Sequence, residues 1–184
     1  MNQRAKSLNF RGLVEHRHDA DEQLAAPGHA ILVRRGVDRS LVLRCPDGCG
    51  ETLTINLDRR AGPAWRVYIE GQAVSLYPSV WRNTCCKSHF IIWRSRIYWA
   101  DWDDPFLRTS EDFEQRVLEA LTTNWQPYAA VAERLSVVPW AVLSACLTLQ
   151  ARGLAQRRDG DNRHCFRRVG RAPQPAGSPD GRDC

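Results

Sequence analysis

From Gly28 to about Asp104 the apolar residues come in short runs, "AILVR", "SLVLR", "TLTINL", "WRVYIE", "AVSLY", "HFIIW" and "RIYWA", divided by Gly, Pro, Asp and Asn. Runs of this length, rich in β-branched and aromatic residues and bounded by turn signals, predict strands. "TLTINL" alternates strictly, with Leu53, Ile55 and Leu57 on one face and Thr52, Thr54 and Asn56 on the other. The same period places Ile91 with Trp93, and Ile97 with Trp99, on core faces. Glu70-Gly71 and Arg94-Ser95 mark hairpin turns. Residues 28–104 therefore read as a small antiparallel β domain. Residues 1–27 are a polar lead-in, with "GLVEH" as an edge strand and "EHRHDADEQ" as a charged loop or short helix.

Beyond a linker at residues 105–109 the period becomes 3.6. Ser110 is an N-cap followed by acidic first-turn residues, and Phe113, Val117, Leu118 and Leu121 share one helical face. "QPYAAVAERL" predicts a second short helix. Pro139 stands where a first-turn proline is tolerated, and "WAVLSACLTLQARG" runs as a third helix to Gly153. "LAQRRDGDNRHCFRRV" then reads as a hairpin. Helix, helix, turn, helix, hairpin is the order of a winged helix-turn-helix over residues 110–169. The Pro/Gly-rich tail at residues 170–184 is expected to be disordered.

At 184 residues, 43% hydrophobic and with seven tryptophans, the chain has enough apolar content for one ordinary domain or two small ones. No apolar run approaches the roughly 18 to 20 residues a membrane span needs, and "MNQRAKSLNF" lacks a hydrophobic segment. A cytoplasmic location without membrane contact is the expectation. The net charge of +5 is mild, with +4 in residues 1–109 and +1 in residues 110–184, so charge alone does not indicate nucleic acid.

Seven cysteines are an odd count, which argues for thiols and metal ligands over a disulfide framework. Cys45 and Cys49 form a C-x-x-x-C pair in "RCPDGCGETL". Cys86 and His89 form a C-x-x-H pair in "TCCKSHF", with 36 residues between Cys49 and Cys86. Any one of these alone is more simply a packed core residue. Two short-spaced pairs on separate turns suit one tetrahedral zinc with three thiolates and an imidazole. Cys85 competes with Cys86, and the shorter spacing favours Cys86. Such a closed site holds a fold together and leaves no position for catalytic water. The fold class expected is thus α+β: a small antiparallel β domain with a structural zinc knuckle site, one zinc per chain, followed by a winged helix-turn-helix.

These residues also carry a resemblance. "GHAILVRRG", "CPDGCGETLTINLD", "GPAWRVY", "VSLYPSVW" and "CKSHFIIWRSRIYW" resemble an uncharacterised bacterial family of small zinc-binding proteins. Its C-P-x-G-C-G, S-L-x-P-S and C-x-S-H-[FY] motifs occur here in the same order, over about residues 12 to 102. Some members are encoded beside ubiquitin-like conjugation genes. The resemblance implies zinc ligation by Cys45, Cys49, Cys86 and His89, and an accessory or ligase-like role with a protein partner from such a modification system. It implies no reaction.

Other candidates weaken. His16 and His18 lack an H-E-x-x-H helix and read as a solvated loop. Cys85 has no histidine placed to serve it, although zinc or Arg82 could activate it, and Ser75 and Ser79 read as turn residues. No catalytic constellation emerges, so a non-catalytic zinc-binding adaptor is expected. Trp81 and Trp102 near turns, and Trp140 on the third helix, are its candidate protein contacts. The alternative is a DNA-binding regulator. The third helix has no basic residue from Ser136 to Gln150, so phosphate contact would fall to Arg157, Arg158, Arg163, Arg167 and Arg168 on the wing.

Overall fold

The computed structural model describes residues 4–99 and 109–170, which fall into two compact units, Met1–Phe106 and Leu107–Cys184. The first holds two four-stranded sheets. In one, β1 (Asn9–Val14), β2 (His29–Arg35), β3 (Val37–Arg44) and β4 (Thr52–Asn56) lie in that order. All pairs are antiparallel except β1 with β2. A parallel pair needs a long crossover, and here it contains a 3₁₀ helix, Arg17–Gln23. Ala20 and Leu24 of this crossover pack with Val14, Ile31, Val33 and Val42 on the outer face of the sheet. The polar lead-in is thus built into the unit, edge strand included.

The second sheet is antiparallel, with β5 (Arg66–Glu70), β6 (Ala73–Trp81), β7 (His89–Trp93) and β8 (Arg96–Trp99) in sequence order. Leu41, Leu43 and Ile55 from the first sheet join Val74, Leu76, Val80, Phe90, Ile92 and Ile97 from the second in one core. Strands β2 and β3 are covered on both faces, which is why they read as unbroken apolar runs, whereas β4 has one covered face and alternates. Leu53 and Leu57 flank Ile55 on that face as expected. On β8, Ile97 and Trp99 also meet the core. On β7 Phe90 and Ile92 face the core shared with the first sheet, while Trp93 is buried outside that cluster and Ile91 is half-buried. Pairing of Val80 with Phe90 and Leu76 with Ile92 fixes that parity, which the aromatic content of the strand does not reveal.

Both predicted hairpin turns are present. Arg94 and Ser95 take φ of 47° and 59°, the left-handed pair of a type I′ turn. Neighbouring serines support it: Arg94 N–H donates to Ser75 Oγ, and Ser95 Oγ accepts from Val74 N–H. Gly28 must be glycine, since its φ is +83° and a Cβ there would lie 2.6 Å from the Ser7 carbonyl oxygen.

The second unit contains α1 (Glu111–Ala120), β9 (Gln126–Pro127), α2 (Tyr128–Leu135), α3 (Pro139–Ala151), β10 (Ala155–Arg157) and β11 (Cys165–Arg168). The strands form an antiparallel sheet in the order β10-β11-β9. Ser110 Oγ accepts from Phe113 N–H as the N-cap, and Pro139 occupies the first turn of α3. Val117, Leu121, Val131, Val142, Leu149 and Phe166 lead its core. The molecule is therefore α+β with mostly antiparallel sheets. Among the described residues no single helix is long and apolar enough to cross a membrane. Trp102, most of the 105–109 linker and the tail from residue 171 lie outside the described residues.

Candidate functional site

Two tight backbone segments bring three cysteines together. After β3, Cys45 N–H donates to the Glu51 carbonyl and Gly48 N–H to the Cys45 carbonyl. Gly48 and Gly50, at φ of 85° and 87°, fold this loop back on itself. Between β6 and β7, Arg82 N–H donates to the Ser88 carbonyl and Lys87 N–H to the Thr84 carbonyl. The Sγ atoms of Cys45, Cys49 and Cys86 all lie within 4.8 Å of one another. Cys45 and Cys86 are 3.7 Å apart. Tetrahedral zinc with bonds of about 2.3 Å sets its sulfurs about 3.8 Å apart, so the three cysteines could hold such an ion.

Arg82 closes the cluster. Its side chain is 8% exposed, and Nη1 lies 3.5, 3.4 and 3.3 Å from the sulfurs of Cys45, Cys49 and Cys86. Its Nη2 pairs with the Glu51 carboxylate, which that contact holds below the usual range. Burial pushes the Cys45 thiol up to about 11. Burial acts upward on Cys49 as well, yet hydrogen bonds from the Glu51 backbone and from the Cys45 and Cys86 thiols bring it down to about 7. Three thiolates around a divalent ion leave one negative charge, and the guanidinium stands where it offsets that charge. Cys85, the rival ligand in the sequence, is exposed, and hydrogen bonding to Glu51 and Cys49 pushes its thiol up to about 11.

His89 is outside this group of three. It opens β7, whose alternation turns Phe90 inward and His89 outward. On β6, three residues, Tyr77, Pro78 and Ser79, stand between the Leu76–Ile92 and Val80–Phe90 pairs, opposite Ile91 alone. Bulges of this kind re-aim side chains and recur beside active sites. The Ser79 hydroxyl oxygen consequently lies 3.0 Å from His89 Nε2. Trp81, paired with His89 across the strands, stacks on the imidazole at 5.7 Å and is 77% exposed. Trp65 Nε1 donates to the Ser79 carbonyl from the other side. The C-x-x-H spacing predicts a zinc ligand; in the structure the Nε2 of this histidine faces the Ser79 hydroxyl. No local motif announces the pair, because the nine residues between them cross a turn and their register is set by the bulge at Tyr77–Ser79.

In the helical unit the arginines of the β10–β11 hairpin serve local contacts. Arg157 Nε donates to the Arg163 carbonyl at 2.6 Å, and Arg167 makes two hydrogen bonds to Gln156 Oε1. Arg167 also lies over Trp125 at 4.6 Å and Arg158 at 5.9 Å. Arg158, Arg163 and Arg168 are exposed. Trp140 is 5% exposed and tilted against Tyr128, so it is a core residue and presents no anchor to a partner. His16 and His18 stack on one another, and His18 faces Asp19 at 3.1 Å.

Residues 16–100 match the family model of BubE, described as the bacterial ubiquitination-like system serine protease. That stretch contains the three-cysteine cluster, Arg82, Ser79, Trp81 and His89, and it ends before the helical unit. No curated protein and no solved structure matches the chain.

Proposed function

We propose that the strand-rich unit is a serine peptidase of a bacterial ubiquitin-like modification system, with Ser79 as nucleophile and His89 as general base. The 3.0 Å contact between Ser79 Oγ and His89 Nε2 carries this reading, and the serine-protease description of the matching family supports it. A serine hydroxyl is a weak nucleophile until an adjacent base takes its proton. Ser79 Oγ attacks the scissile carbonyl while Nε2 accepts the hydroxyl proton; Nε2 returns that proton to the leaving amine, and an acyl-serine remains. Water, deprotonated by the same nitrogen, then releases the carboxylate and restores the serine. Trp81, stacked on the ring, holds the imidazole in orientation.

Zinc held by Cys45, Cys49 and Cys86 is structural in this proposal. It would tie the β3–β4 loop to the β6–β7 turn, and so brace the two strands that carry the serine and the histidine. The helical unit has the element order of a winged helix-turn-helix, and we assign it to protein docking, since α3 carries no basic residue with which to read bases. The test is cleavage, by the full chain, of a ubiquitin-like protein extended at its C-terminus by a reporter peptide. Ser79→Ala and His89→Ala should each slow release by about 10³-fold or more while the protein stays folded. Wild-type cleavage by Ser79→Ala would overturn the assignment.

A further inference from the structure

The hydrogen-bonding parity of β6 shows what lies beside the catalytic pair. Arg82 N–H donates to the Ser88 carbonyl, so residues 82 and 88 form a hydrogen-bonded pair. In an antiparallel ladder such pairs alternate with non-bonded ones. The next pair, Trp81 with His89, is therefore non-bonded, which fits the close approach of their rings. The N–H and C=O of Trp81 consequently point away from β7. Ser79, two residues back and of the same parity, confirms the direction, since its carbonyl points to that side and accepts from Trp65 Nε1. Strand β5 ends before reaching this region: it pairs with β6 from Ala73 only as far as Tyr77. Among the described residues, no strand covers the β6 edge at Trp81.

Resting on the peptidase reading above, we infer that this edge is the substrate-binding element: the scissile segment binds in extended form, as a strand added to β6. One peptide residue exchanges backbone hydrogen bonds with Trp81 N–H and C=O. The exposed indole covers its side chain. Two residues along a strand span about 7 Å, so the segment paired at Trp81 reaches Ser79 within two residues. There the Trp65 indole occupies the edge and ends the pairing, which leaves the peptide carbonyl at the serine. The occupant is a peptide stretch free of secondary structure, such as the flexible end of a folded modifier, and not a globular surface. Strand addition draws its affinity from main-chain hydrogen bonds.

The test compares rates of Ser79 modification in the full chain by three reagents: a small alkyl fluorophosphonate, a tripeptidyl phosphonate, and versions of the latter N-methylated at one amide at a time. One methyl position should slow labelling about tenfold, the cost of a lost backbone hydrogen bond, and the others by less than about twofold. Trp81→Ala keeps the backbone N–H and should preserve that methyl-sensitivity. Trp81→Pro removes a donor at a solvent-facing edge, where proline is tolerated, and should change its pattern. Equal rates for all methylated versions, with the alkyl reagent still reacting at Ser79, would overturn strand addition alone. Failure of the alkyl reagent to modify Ser79 would overturn the catalytic pair and this inference with it.

Discussion

Cys146 in the helical unit and Cys45 in the strand-rich unit are both fully buried, yet their surroundings have opposite consequences. Cys146 packs among Val142, Ala145 and Leu149 on α3, and burial alone pushes its thiol up to about 12. It behaves as a small apolar side chain. Cys45 meets two further sulfurs and a buried guanidinium, and its neighbour Cys49 is brought down to about 7 in the same cluster. Burial by itself makes an inert thiol. Further thiols within 4.8 Å, beside a fixed guanidinium, make a group that could hold a metal ion.

The comparison can be broken first at the cluster. Cys45→Ser, or a strong chelator applied to the wild type, should cost the strand-rich unit several kcal/mol or more, because a structural metal contributes its binding energy to folding. Thermal unfolding followed by tryptophan fluorescence, with metal content measured alongside, checks this. Helicity should survive, since the helical unit has its own core. Next in size, Trp140→Ala should destabilise the helical unit by about 3 to 4 kcal/mol through the cavity it leaves, without changing metal content. Calorimetry of the two transitions distinguishes these outcomes.

A third test uses pH. The folded Cys146 thiol sits above its ordinary value of 9.0, at about 12, so between those values the folded state keeps a proton that the unfolded state has lost. Stability from this source is complete below about pH 9 and falls as pH rises toward 12. Denaturant titrations of the helical unit should show that decline, and Cys146→Ala should flatten it. Smallest of all, Arg158→Ala should shift stability by under about 0.5 kcal/mol, because that side chain is exposed at the surface.

The short spacing of Cys45 with Cys49, and the Cys85-Cys86 doublet, set these thiols apart in the sequence from the isolated Cys146 and Cys165. Ser110 and Pro139 likewise marked helix starts through chemistry local to each residue. Periodicity disclosed β4 because one face of it is covered; on β7 it placed Trp93 inside, where it is buried, but missed Phe90 and Ile92, because the face turned to the shared core follows from pairing with β6. The Ser79–His89 pair was illegible for the same reason. It depends on a bulge that sets three residues of β6 against one of β7, and no spacing in a single segment encodes such a register. Spacing even pointed elsewhere for His89, since C-x-x-H is a common zinc knuckle pattern. Arg82 stayed hidden too, because the identity of its neighbours is decided by two turns far apart in sequence.

His89 separates the two roles, because an imidazole serving as base toward Ser79 is not available as a zinc ligand through the same nitrogen. The direct measurement is made on His89→Ala, in the full chain, with two readings on one sample: zinc by elemental analysis and fluorophosphonate modification of Ser79 by intact mass. About one zinc per chain is expected for both the variant and the wild type, together with modification slowed about 10³-fold in the variant. Loss of the metal with Ser79 still modified at the wild-type rate would place His89 in the metal site and contradict the catalytic pair.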